Sequence, residues 1–129
     1  RPPGEAELAD ARRATLAQRM HTLFDRYDVL LGPTVAVPAF PLGLDGPSTI
    51  AGIPVDERAW WRLTQPWNLS GEPACSIPCG FTREGLPVGV QLVAPLWQDH
   101  RLLRCAAVLE MALEPSRLAS LESSPTGGS

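Results

Sequence analysis

The chain has 129 residues, 44% of them hydrophobic, and a formal net charge of -3. That is one domain's worth of sequence, long enough to bury a core and too short for two ordinary domains. No apolar run approaches the ~18 residues of a membrane span, and the acidic balance carries no basic footprint for nucleic acid; both observations argue against those partners.

Residues 5–27, EAELADARRATLAQRMHTLFDRY, read as an amphipathic helix. Leu16, Met20, Leu23, Phe24 and Tyr27 recur at helical spacing and form one apolar stripe. Pro2, Pro3 and Gly4 hold back an earlier start. DVLL at 28–31 then reads as a short buried strand, stopped by Gly32 and Pro33.

Residues 32–58 carry five prolines and four glycines and read as mostly irregular. Loops of this length are functional lids or linkers. Val35, Val37, Phe40, Leu42 and Ile53 favour a packed surface loop over a free linker. ERAWWRLTQ, from Glu57 to Gln65, reads as a short helix ending before Pro66.

Two strands follow, ACSIPCGF (74–81) and PVGVQLVAP (87–95). The five residues between them are too few for a parallel crossover, so the pair is expected to be antiparallel. Val88, Val90 and Leu92 on one side and Val93 on the other suggest strands covered on both faces. QDHRLLRCAAVLEMALE (98–114) is a second helix, with Asp99 at its start and Leu102, Ala106, Leu109 and Leu113 on one face. Pro115 is expected to stop it, leaving 115–129 as a polar, Gly- and Ser-rich disordered tail. Three strands of this kind make a poor sheet alone and look like part of a larger one.

The residues that suggest chemistry mostly have structural readings. All eleven basic residues are arginines, so this chain supplies no catalytic lysine. Cys75 and Cys79, four apart on a strand rising ~3.3 Å per residue, are too far apart for a disulfide and wrongly spaced for a zinc knuckle. With Cys105 they make an odd count without an apolar leader, which reads as reduced thiols in the cytoplasm. No metal and no cofactor is expected. Ser70 and Ser76 lack a nucleophile elbow, and His21 and His100 lie on the two helices, so all four read as structural or surface groups. Gln91 sits among apolar strand neighbours and must find partners if buried, as a core amide or as a support to a site. Trp60, Trp61 and Trp67 are either core anchors or the apolar wall of a pocket.

The run YDVLLGPTVAVPAFPLG (27–43), then NLSGEPACSIPCG (68–80), GLPVGVQL (85–92) and a closing helix with Leu102, Leu103 and Arg104, resembles the C-terminal part of amidase signature enzymes. The likeness implies an α/β fold: an α/β/α layered domain around a mixed sheet, of which this segment would be an incomplete part. It implies amide-bond hydrolysis by a Ser–cis-Ser–Lys triad, in which the lysine draws a proton through the bridging serine and backbone N–H groups hold the oxyanion. Those residues belong upstream of the matched segment, so no catalytic residue is carried onto this chain. In the related amidotransferase branch an acid helps hold the substrate at the position of Trp61, which here favours a general amidase with an apolar substrate end.

Residues 1–114 are therefore expected to be the C-terminal segment of an amidase, with a small-molecule amide substrate in the longer enzyme. Arg1 in place of a methionine agrees with a processed product or a tail of a longer protein. Trp61, Thr64 and Trp67 are the candidate pocket wall. The rival reading is a noncatalytic remnant or interaction module, whose open sheet edges would pair with a partner or with a second copy.

Overall fold

The structure, a computed structural model, describes residues 3–122. Helix α1 spans Pro3–Phe24. A proline at the first helical position gives up an N–H that has no intrahelical partner there anyway, so Pro3 heads the helix instead of blocking it. The C-terminal end tightens onto the Leu23 carbonyl, which accepts from the N–H groups of Arg26 and Tyr27. Leu16, Met20, Leu23 and Phe24 form a half-buried stripe, while Tyr27 stays outside at 53% exposure.

Strand β1 is Leu30–Pro33, two residues later than the sequence suggests. Asp28, expected inside the strand, instead forms an exposed ion pair with Arg101 at 3.0 Å. Strands β4 (Ala74–Phe81) and β5 (Pro87–Val93) follow the expected hairpin and pair antiparallel. Thr82 shapes the turn between them: its Oγ1 accepts from the N–H groups of Glu84 and Leu86.

The sheet order is β1-β5-β4, and both ladders are antiparallel. The centre is thus β5, and β4, which reads in sequence as a central strand, is an edge among the described residues. The hairpin places β4 on one side of β5, and β1 takes the other. Pro78 sits in that edge strand beside a register shift that leaves Cys79 extra. Edges and bulges are where a sheet accepts a residue without an N–H.

The two sheet faces differ. On one, Cys75 lies opposite Leu92 and Ile77 opposite Val90, and helix α3 (Asp99–Glu122) packs over them. Ile77, Leu92, Ala94, Leu102 and Ala106 form the core, bordered by Val29, Cys105, Leu109 and Leu113. Leu92 is 2% exposed, and burying a leucine side chain that fully is worth about 1.5–3 kcal/mol. Helix α3 does not stop at Pro115 but continues to Glu122. Its backbone absorbs the proline at the loss of one ladder hydrogen bond. The remainder of the expected tail, 123–129, lies outside the described residues.

The other face is not the apolar surface expected. Val93 is buried there, but the middle of the face carries Gly89, Gln91 and Ser76. The segment from Thr34 to Thr64 is tied to this face at both ends, by Thr34 N–H donating to the Gly89 carbonyl and by Gln91 donating to the Leu63 carbonyl. It contains a small hairpin, β2 (Thr49–Ile50) with β3 (Ile53–Pro54), turned by Ala51 and Gly52, both at positive φ. Two such residues give the turn whose twist suits adjacent strands. Phe40 meets Trp60 edge-on at 5.4 Å, the Trp60 indole donates to the Asp45 carbonyl, and the Trp60 carbonyl accepts from Ala36 N–H. Val35, Val37 and Phe40 are half-buried as expected, whereas Leu42 is fully exposed and Ile53 is 65% exposed.

The expected helix over 57–65 is only a 3-10 turn, Ala59–Trp61. Pro66 does not end a helix but begins one: α2 is Gln65–Ser70, with the proline in its first turn. Asn68 is accordingly helical. Gly71 ends α2 at φ 92, its N–H bonded to the Trp67 carbonyl at 2.8 Å.

Candidate functional site

The polar sheet face and helix α2 border an open cavity of about 310 Å³. Thr34 reaches it from the end of β1, Ser76 from β4 and Gln91 from β5; Thr64, Trp67 and Asn68 come from α2 and its approach. Glu72 closes it between α2 and β4, beside Ala74 and Cys75.

Register brings the strand groups together. Ser76 pairs with Gln91, which pairs on its other side with Gly32, two residues before Thr34. The Thr34 and Ser76 hydroxyls share a hydrogen bond of 2.6 Å. Gly89 makes this contact possible: a Cβ there would lie 2.7 Å from Ser76 Oγ and 3.0 Å from Thr34 Oγ1. Gln91 is 7% exposed, and its Nε2 donates to the Leu63 carbonyl at 3.3 Å, tying the sheet to the segment before α2. This backbone bridge is the core-amide reading of the residue, and Gln91 also lines the cavity.

Thr64 and Trp67 line the cavity; Trp61 does not. Trp61 contributes through its backbone, since its carbonyl accepts from the Thr64 hydroxyl at 2.8 Å and from Thr64 N–H. This contact fixes Thr64 at the entry to α2. Ser70 lies outside the cavity lining and back-bonds to the Pro66 carbonyl at 2.8 Å.

Glu72 is the residue the sequence reading passes over. It is 8% exposed, and its buried Oε2 has no hydrogen-bond partner. Trp67 Nε1 is in the same condition. Both residues line this one cavity. A signal exists: an acid between a helix-ending glycine and a strand-opening proline is held close to the sheet. Thr34 and Asn68 carry no comparable mark. Cys75 spans the strand between cavity and core, and burial raises its thiol pKa above the ordinary value. The three cysteines are free thiols, each half-buried.

None of the lining side chains forms a nucleophile–base pair. The arrangement offers hydroxyls, two carboxamides, an indole N–H, one carboxylate and the Cys75 thiol: groups that can bind and orient. Among the described residues no helix is long and apolar enough to cross a membrane.

Residues 5–103 match the family model described as Amidase. An acylamidase of Rhodococcus erythropolis is 40% identical over 103 residues, which are 79% of this chain and 22% of that protein. The A-type subunit of the glutamyl-tRNA(Gln) amidotransferase of Synechococcus sp. (strain RCC307) is also 40% identical, over 79% of this chain and 20% of its own length. Overall likeness therefore does not separate the two branches. The chain spans about a fifth of the length of these relatives. Among solved structures, an amidase superposes with a TM-score of 0.79 at 29% identity, covering 88% of this chain and 26% of its own. A bacterial aryl acylamidase described as an amidase signature enzyme gives 0.62 at 35% identity, covering 70% and 19%.

Proposed function

The chain belongs to the amidase family, and from that premise we propose that it is the C-terminal segment of an amide-bond hydrolase that binds substrate and leaves the bond-breaking groups to another part of the protein. The observation that carries this reading is the pairing of a family match with a total absence of lysine: the chain has eleven basic residues and all are arginine. A Ser–cis-Ser–Lys triad needs a neutral amine to take the proton, which a guanidinium does not do near neutral pH. Here the sheet and α2 supply a wall of Thr64, Trp67 and Gln91 beside the reacting amide, and Trp61 sets the position of Thr64 through its carbonyl. The substrate is a small amide, and the reaction releases a carboxylate and ammonia or an amine. The setting is the cytoplasm, in keeping with three unpaired cysteines.

A second reading is favoured by the sheet: β1 and β4 are both unpaired on their outer sides among the described residues. Such edges suit a noncatalytic module that pairs with a partner strand or a second copy. One comparison decides between them. The 129-residue chain and the complete product of its gene are assayed on simple aliphatic and aromatic amides. The amidase reading expects no turnover by the chain and turnover by the complete product. Hydrolysis by the chain alone, or none by either, defeats it.

A further inference from the structure

We infer that the cavity around Glu72 is a binding site for a positively charged N–H donor, an alkylammonium or guanidinium group, and that Glu72 selects for it. The inference rests on the ligand-binding role just proposed for this face of the sheet, but not on turnover.

Glu72 is more than nine-tenths buried, and its Oε2 is sealed from water without a donor. Leaving a buried carboxylate oxygen without a donor is costly and rare, so each such oxygen calls for a group that supplies the missing hydrogen bond. No lining side chain can neutralise it, because none is basic; the others are hydroxyls, carboxamides, an indole, a thiol and small apolar groups. Glu72 lines the cavity but its Oε2 is covered, so a cation that draws the carboxylate toward the cavity supplies both charge and donor, and a charge-assisted bond of this kind is stronger than a neutral one. The second unpartnered atom, Trp67 Nε1, is a donor, so a ligand with an acceptor near its cationic end satisfies both. An anion meets Glu72 with like charge, and an apolar ligand leaves both groups unpaired.

The carboxylate is also held in advance. Gly71 fixes the backbone before it by ending α2 in the left-handed region. After it, the Pro73 carbonyl accepts from Ala94 N–H at 3.1 Å, joining the segment to the end of β5. Little ordering is left for the ligand to impose, which is what makes a site selective.

The same chemistry has two sources, a free small molecule or a lysine or arginine side chain from another segment of the protein. The test follows the Trp67 indole N–H in nitrogen-15 spectra of the 129-residue chain, with Trp67→Phe to assign it. Methylammonium, guanidinium and acetate are titrated separately. The expected result is a saturable shift with at least one cation, weakened ten-fold or more in Glu72→Gln, and no shift with acetate. If Glu72→Gln does not fold, Glu72→Asp keeps the charge, shortens the reach, and is expected to weaken binding while retaining cation preference. No saturable shift with either cation, or an unchanged affinity in the variants, overturns the site. Repeating the titration on the complete gene product identifies the source. A retained response means a free ligand; an indole already displaced and unresponsive means a side chain. Cation binding without amide turnover by the complete product would refute the proposed function alone, and turnover without cation binding would refute this inference alone.

Discussion

The hydroxyls of Thr34 and Ser76 meet at 2.6 Å above Gly89, so the end of β1 and the middle of β4 touch across the strand that separates them. Only a residue without a Cβ leaves room. Gly89→Ala is expected to push the two hydroxyls apart and to destabilise the fold by about 1–3 kcal/mol, the usual cost of overpacking. Denaturant unfolding measures it. Adding Ser76→Ala removes the closest atom, and the double variant is expected to recover part of the loss. A larger loss in the double variant would show that the clash lies elsewhere.

Helix α3 and strand β5 meet in the core. Leu92 is 2% exposed and belongs to the cluster with Leu102 and Ala106, whereas Leu103, one residue along the helix, is 63% exposed. Leu92→Ala is expected to cost about 2–5 kcal/mol. Leu103→Ala is expected to stay within about 0.5 kcal/mol. Equal effects in chemical denaturation would mean that α3 is rotated from the face described.

Gly71 gives a backbone prediction separate from packing. Its φ of 92 lies in the left-handed region, while a Cβ there would make only ordinary contact with Leu96 Cδ1 at 3.6 Å. Gly71→Ala therefore has space but not conformation, and a loss of about 1–2 kcal/mol is expected. Because Glu72 is the next residue, the same variant is expected to weaken cation binding at the cavity. An unaltered unfolding midpoint would contradict the helix end as described.

The Cys75 thiol is raised above its ordinary pKa of 9.0 by burial. The folded state thus holds this proton more tightly than the unfolded chain. The contribution to stability is complete below pH 9.0 and is lost as pH rises from there through the folded value. Cys75→Ser is expected to flatten the alkaline side of the stability profile in unfolding experiments between neutral pH and about pH 10.5. An alkaline limb unchanged by the substitution would assign it to another group.

The β4–β5 hairpin and the two long helices are legible in the sequence because their signals are local: alternation, a short link, and helical spacing of leucines. The start of α2 is not, because Pro66 has two opposite meanings, ending a helix when it follows one and beginning a helix when it stands in the first turn. Residues before the proline are pushed from helical geometry, and only the fold shows on which side the helix lies. The polar sheet face is hidden for another reason. Val93 suggests an apolar surface, but Gly89, Gln91 and Ser76 take their meaning from cross-strand register, which brings residues from three strands together. Trp61 suggests a pocket wall by its aromatic ring, and the contact seen beside the cavity is its carbonyl accepting from the Thr64 hydroxyl. Glu72 shows the limit most clearly: its place between Gly71 and Pro73 is legible, but that its buried Oε2 has no partner is not.

The outer edge of β4 is open among the described residues. The strand has eight residues, long enough to act as a template for another strand, and it is unpaired on that side among the described residues. Pro78 interrupts it near the middle, and the register shift at Cys79 bends the strand where the proline leaves a donor missing. Natural sheets blunt exposed edges with such devices. Pro78→Val restores an N–H and a strand-favouring side chain, so it is expected to raise concentration-dependent self-association, seen as a larger sedimentation coefficient at equal loading. Pro78→Lys restores the N–H but adds a charge, and is expected to associate less than the valine variant. If both variants sediment like the parent, the β4 edge is not an open template, and the interaction-module reading loses the feature that favours it.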